Sequence, residues 1–327
     1  MTSNTKRKPI AFVAGGQGSQ FSGMGIDLYT NDRVFRNSMK TLLNSSGPEL
    51  KTVLKAWLDR SDDALSKSTY AQTLLIALCV SHCRSLGAHG IHPSALLGHS
   101  AGELALGAFA GLMEDDALPR FLERRYTVLQ RGPEGTMCAV RSSPEVASEL
   151  IEYNGLNAWV ACVNSPTQCL VSADSNTIRE FITIARAASI LAVPAASDMP
   201  FHSPLVRALS QQLAHILAAE ALTAPEYPLM SAATTRWLSA SEAEEPRFWS
   251  DQLWRPVQFW DAFDALVSDG DWVFVDLGPG TGLSAVMSSH PKVRSGQSEV
   301  VSMMPPTKES DYLSWLRKVE HIQAVSL

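Results

Sequence analysis

The sequence predicts an α/β protein in which a large part built on a parallel sheet is interrupted by a small α+β unit. Three observations carry this. A short apolar run, Pro9 to Ala14, ends in the glycine-rich loop Gly15-Gly16-Gln17-Gly18. A second apolar run, Ser94 to Leu97, ends in Gly98-His99-Ser100-Ala101-Gly102 and is followed by an Ala/Leu-rich stretch to Ala110. From residue 136 to residue 193 the pattern becomes strand, helix, strand, strand, helix, strand.

Pro9 to Ala14 reads as a buried strand, and the glycines after it permit unusual backbone angles. Helical stretches are expected from about 30 to 88. Ala71 to Leu86 is the most apolar of them, but it carries Gln72, His82 and Arg84 and is too short to span a bilayer, so a core helix is expected. Ser94 to Leu97 reads as a strand that turns sharply at Ser100 into a helix. That is the mechanics of a nucleophile elbow, in which G-x-S-x-G exposes a serine hydroxyl at the top of an α/β-hydrolase-like sheet. A helix follows over Asp115 to Gln130, ended by Gly132-Pro133.

The small unit has strands at Thr136–Val140, Trp159–Val163, Cys169–Ser172 and Ile190–Val193, with helices at Pro144–Tyr153 and Ser175–Ala187. This β-α-β-β-α-β order is ferredoxin-like. The expected division is therefore 1–134 with 197–327 for the large part and 135–196 for the small one. Further on, a helix over about 203–220, a strand at Leu229–Ser231, a helix at Phe259–Val267, a strand at Trp272–Leu277 and a helix at Asp311–Ile322 complete the pattern.

Bulk properties narrow the function classes. The 327 residues are 45% hydrophobic and 18% charged, with a formal net charge of −6. Nothing there suggests nucleic acid, and Lys6-Arg7-Lys8 reads as a solvated leader. No secretory h-region follows the N-terminus. The five cysteines show no metal-ligand spacing, so reduced buried thiols in a cytoplasmic protein are expected, with no metal.

A serine at a helix N-terminus sits where unpaired backbone N–H groups stabilise an oxyanion, which points to acyl transfer through an ester. Such a serine needs a general base. Of the eight histidines, His202 stands out in the loop Phe201-His202-Ser203-Pro204 at the exit from the small unit. His99 should point away from its neighbour at so sharp a turn, and His82 reads as a satisfied interior residue. Asp198 is the nearest acid to His202, and is equally readable as a plain loop residue. From spacing alone Arg125 is either a surface residue beside Arg124 or a carboxylate-binding group.

Several ordered motifs resemble one family. Gly16-Gln17-Gly18-Ser19-Gln20, Gly98 to Glu103, Gln72, Arg125, Asn164-Ser165-Pro166, Phe201 to Leu205, Gln252-Leu253 with Pro256-Val257, and Gly278-Pro279-Gly280 are together similar to the malonyl-CoA:acyl-carrier-protein transacylase family. This family includes the acyltransferases of polyketide synthases, and the chain looks like a discrete one. The resemblance implies a ping-pong acyltransferase. Ser100 would be the nucleophile, His202 the base, and the backbone N–H groups of Gln17 and Ala101 the oxyanion hole. The carbonyl of Gln252 would orient the histidine in place of a triad acid. Arg125 would clamp the carboxylate of a malonyl unit through paired hydrogen bonds, with Gln72, Met199 and Phe201 also at the substrate, and Phe201 in the malonyl-selective form of its motif. No cofactor is bound; CoA thioesters and the phosphopantetheine of an acyl carrier protein are the substrates. The acidic carrier would meet a basic patch, with Lys292 and Arg294 as candidates and Lys318 a weaker one.

The departures from the family pattern are Ala14-Gly15 for its Phe-Pro, Thr73 for its proline, and Met199 for its aromatic or histidine. Ala14, Gly15 and Met199 motivate one alternative, transfer of a larger acyl or aminoacyl group between carrier proteins. A second is a serine thioesterase or esterase.

Overall fold

The computed structural model describes residues 7–44, 47–306 and 311–326. Lys6 of the basic start and residues 45–46 of the expected helical stretch lie outside them. Among the described residues, ten strands form two sheets. The first contains β1 (Ile10–Ala14), β2 (Ala95–Gly98), β7 (Leu229–Ser231), β8 (Arg236–Trp237), β9 (Val273–Pro279) and β10 (Glu299–Met304), in the order β10-β9-β1-β2-β7-β8. All pairs are parallel except β7 with β8. Every residue of β1, β2 and β9 is buried. Strands covered on both faces read as continuous apolar runs, so these three are plain in the sequence.

β8 and β10 are not expected from the sequence. β10 carries Glu299 and Ser302 among its apolar residues, which blurs its signal. It forms the edge beside β9 with a register shift between Ser302 and Met304.

The 21-residue helix Ser68–Ala88 is buried along nearly its whole length, as expected for a helix that is apolar all round. His82 is fully buried in it. Trp315 Nε1 donates to His82 Nε2 at 2.8 Å, so Nδ1 carries the proton and donates to the Leu277 carbonyl at 3.1 Å. Burial holds its pKa down at about 4. The residue ties the helix to β9 and to the C-terminal helix Tyr312–Val325. All five cysteines are free and buried. Among the described residues, no helix is long and apolar enough to cross a membrane.

The second sheet comprises β3 (Thr136–Val140), β4 (Trp159–Ser165), β5 (Gln168–Ala173) and β6 (Ala192–Pro194), ordered β4-β5-β3-β6 and antiparallel throughout. Its helices, Pro144–Tyr153 and Ser175–Ala187, pack Ala147, Ile151, Ile178 and Phe181 against Cys138, Val140, Cys169 and Val171. This is the ferredoxin-like arrangement. β6 begins two residues later than expected, because its pairing with β3 starts at Val140↔Ala192. The small sheet is joined to loop segments of the large part: Val163 N–H donates to the Val257 carbonyl at 2.8 Å, and Thr136 Oγ1 donates to the Ser197 carbonyl at 2.8 Å.

Candidate active site

The end of β2 presses so tightly on its surroundings that only glycine fits. A Cβ on Gly98 would lie 2.1 Å from Glu103 Cα, and one on Gly102 would lie 2.3 Å from the Ala14 carbonyl oxygen. Ser100 therefore sits on a strained turn, φ 56° and ψ −124°, at the start of the helix Ala101–Phe109. Such strain in a non-glycine residue persists only where the surroundings enforce it. His99 does point elsewhere: its Nε2 lies 2.8 Å from Asn164 Oδ1, joining the elbow to β4.

His202 also has a left-handed backbone, φ 56°. Its Nε2 lies 2.7 Å from Ser100 Oγ, and its Nδ1 lies 2.8 Å from the Arg255 carbonyl. The carbonyl fixes the tautomer, because it accepts only from Nδ1–H and so leaves the Nε2 lone pair facing the serine. This corrects the assignment of the orienting carbonyl to Gln252, whose own carbonyl is a smaller influence on the ring. Arg255 precedes Pro256, and a residue before proline is disfavoured from continuing a helix. Its carbonyl is thus free to turn to the imidazole. Asp198 is not the partner of His202; its carboxylate accepts from Ser68 N at 3.1 Å, at the start of the helix Ser68–Ala88.

Burial depresses the pKa of His202 to about 4, opposed in part by the Arg255 carbonyl. The imidazole is thus neutral to well below the ordinary histidine range, the form that can accept a proton. The expected acid limb of Ser100 acylation lies far below pH 6.5 and approaches pH 4; initial rates from pH 4 to 8 check this, and a limb near 6.5 would contradict it. The sign for stability is the same. Between pH 6.5 and 4 the unfolded chain takes up a proton that folded His202 and His82 refuse, so their contribution is full above 6.5 and falls as pH drops through that window.

The glycine-rich loop lies directly over the elbow. A Cβ on Gly16 would meet the His99 carbonyl oxygen at 2.9 Å and Ser100 Cβ at 3.1 Å. Among the described residues, the backbone N–H groups of Gln17 and Ala101 meet no protein acceptor. The Gln17 side chain is held: Nε2 donates to Ser68 Oγ at 2.8 Å and to the Ala196 carbonyl at 2.7 Å, and Oε1 accepts from Gln72 Nε2 at 3.1 Å. Gln72 Oε1 in turn accepts from one terminal nitrogen of Arg125. The other terminal nitrogen, Nη1, is buried without a partner, and burial lowers the pKa of the guanidinium to about 10.

A cavity of about 30 Å³ runs between Ser100 and Arg125, lined also by Gln72, Phe201, Trp249 and Gln252. Gln252 is 8% exposed and its Nε2 has no partner. Trp249 is not reached by the sequence reading. Its ring is seated on Gly107 of the helix after the elbow, where a Cβ would lie 2.5 Å from the indole. The available signal was that glycine, which costs about 1 kcal/mol relative to alanine in a helix interior and so implies a close neighbour.

Met199 does not line this cavity, contrary to expectation. Pro200 is wedged against Gly135, and Met199 turns the other way, its sulfur over Gly132, where a Cβ would lie 2.2 Å from it. Ala14 and Gly15 are also outside the lining. Lys292 is not free for docking: Nζ donates to the carbonyls of Val267 and Ser268 at 2.9 and 3.2 Å, satisfying the end of the helix Phe259–Ser268. Arg294 is exposed at the end of the short helix Pro291–Arg294. No group of three or more metal-binding side chains occurs among the described residues.

A family model described as the acyl transferase domain matches residues 11–324. The chain is 29% identical over 280 residues to polyketide synthase GfsB of Streptomyces halstedii, covering 85% of this chain and 5% of that protein. It is 30% identical over 283 residues to a mycocerosic acid synthase-like polyketide synthase of Mycobacterium tuberculosis, covering 84% and 13%. It thus spans a small fraction of the relatives it matches. Among solved structures, the acyltransferase domain from the second module of the salinomycin polyketide synthase superposes with a TM-score of 0.84 at 24% identity, covering 96% of this chain and 72% of that one. The malonyl CoA-acyl carrier protein transacylase from Coxiella burnetii gives 0.83 at 22%, covering 99% and 100%. At such identities these two likenesses establish the fold.

Proposed function

The chain belongs to the acyl transferase domain family, and we propose that it moves a malonyl-type acyl group from CoA, through an ester on Ser100, to the phosphopantetheine thiol of an acyl carrier protein. One observation carries the choice of acyl group. The small cavity that starts at Ser100 ends at a buried guanidinium whose Nη1 has no partner. A buried cation is costly unless an anion meets it, and a free carboxylate on the acyl group does so.

In this reading His202 Nε2 takes the Ser100 proton as Oγ attacks the thioester carbonyl. The oxyanion is held by the N–H groups of Gln17 and Ala101, each worth a few kcal/mol, roughly 3, in comparable enzymes. Collapse breaks the C–S bond, and His202 returns the proton to the departing CoA sulfur. The carrier thiol then gives its proton to His202 and attacks the ester, and Ser100 is regenerated by the reverse steps. Nδ1–H stays on the Arg255 carbonyl throughout. Because Gln72 bridges Arg125 to the Gln17 side chain, the carboxylate clamp and the oxyanion loop form one polar chain.

Ala14, Gly15 and Met199, which motivated the larger acyl or aminoacyl groups, do not border the cavity beside Ser100. Exposure to a panel of acyl-CoA thioesters followed by intact-mass measurement tests the assignment. Malonyl is expected to load fastest; faster loading of a long-chain or aminoacyl group would refute it.

A further inference from the structure

The turn that supports His202 is itself held by a carboxylate. Asp251 ends the helix Pro246–Asp251. Its Oδ1 accepts from Ser210 Oγ at 2.8 Å and from Trp254 Nε1 at 3.0 Å, and its Oδ2 accepts from the Arg255 guanidinium at 3.2 Å. Its backbone carbonyl accepts from the N–H groups of Trp254 and Arg255 at 3.1 and 2.9 Å. Arg207 lies over the Trp254 ring, 5.0 Å from its centroid. Ser210 and Arg207 both belong to the helix Arg207–Leu217, which the loop carrying His202 runs into. One side chain therefore fastens Trp254 and Arg255 to the helix that follows His202.

That turn supplies both backbone acceptors of His202: the Leu253 carbonyl takes its N–H at 2.9 Å, and the Arg255 carbonyl takes Nδ1–H at 2.8 Å. His202 has a left-handed backbone, a conformation that must be imposed from outside. We propose that Asp251 is a positioning residue for His202: it fixes the Arg255 carbonyl against Nδ1 and so does, one residue removed, what the acid of a serine–histidine–acid triad does by touching the imidazole. The arrangement suits the surroundings. The Asp251 side chain keeps 21% of its surface exposed, so its charge stays partly hydrated while the ring remains buried and neutral. An acid in direct contact would need its own charge buried beside Ser100.

This role presupposes that His202 is the base, as proposed above, so wild type and His202→Ala are measured alongside. The experiment is pre-steady-state acylation of Ser100 by malonyl-CoA in Asp251→Ala, Asp251→Asn and Ser210→Ala. Asp251→Ala is expected to lower kcat for acylation roughly tenfold, the scale on which a small misplacement of a catalytic group acts, with KM for malonyl-CoA unchanged. Asp251→Asn keeps an acceptor for Ser210 and Trp254 and should restore most of the loss. Ser210→Ala, which removes one bond, should lower kcat about two- to threefold, and it carries the test if Asp251→Ala does not fold. Wild-type kcat in Asp251→Ala would overturn the role, as would equal losses in the Ala and Asn variants in proportion to their unfolded fraction. If Asp251→Ala does not fold, wild-type kcat in Ser210→Ala overturns it. Normal acylation by His202→Ala would instead overturn the assignment of the base.

Discussion

Replacing His202 by alanine is expected to slow acylation of Ser100 by roughly 10²–10⁴-fold, the usual contribution of a positioned general base. Among the described residues, His202 is the imidazole within hydrogen-bond distance of Ser100 Oγ. His99 Nε2 is committed to Asn164, and both ring nitrogens of His82 are committed to Leu277 and Trp315. In the proposed reaction His202 meets the substrate only at the reacting atoms, so malonyl-CoA binding should survive. Rapid-quench mass measurement of the acylated fraction checks this. A rate within threefold of wild type would mean that another group takes the serine proton.

The second large effect is expected at Arg125. Truncation to alanine should weaken malonyl loading by about 2–5 kcal/mol, the range for removing one partner of a buried, hydrogen-bonded charge pair, or roughly 10²–10³-fold at its centre. Acetyl loading should change little, since an acetyl group offers nothing to Nη1. A thermal melt accompanies the variant, because the substitution also removes buried packing and the donor to Gln72 Oε1. Paired measurements of malonyl and acetyl loading, with a thermal melt, decide the matter. Equal losses on both acyl groups would remove the clamp, leaving Arg125 with a packing role only.

Much of this was legible in the chain because its signals are local. Apolar runs such as Ile10–Ala14 are strands covered on both faces, and Gly98 and Gly102 mark a turn with no room for a Cβ. Ser100 and His202 stand out for similar reasons, as residues set in tight, glycine- or proline-punctuated loops. What was not legible depends on direction or on distant partners. Met199 and Phe201 are near neighbours in sequence, yet the proline between them sends one side chain to Gly132 and the other into the cavity. Lys292 looks like a free surface cation until two carbonyls 24 and 25 residues away are seen to claim it. The motif around Gln252 identified the right turn, but which of its carbonyls reaches the imidazole depends on the backbone path before Pro256. Trp249 reaches the cavity beside Ser100 from a helix about 150 residues further along the chain, with only Gly107 as a local trace.

The central claim is an acyl-Ser100 ester that waits for a thiol, and intact-mass analysis in two stages tests it most directly. On mixing with malonyl-CoA, the protein is expected to gain one malonyl group and release one CoA, with the adduct on Ser100 and absent from Ser100→Ala. On addition of a phosphopantetheine-bearing carrier protein, the adduct should vanish from the enzyme and reappear on the carrier. An adduct that forms in Ser100→Ala, or one lost to water as fast without the carrier as with it, would contradict the account.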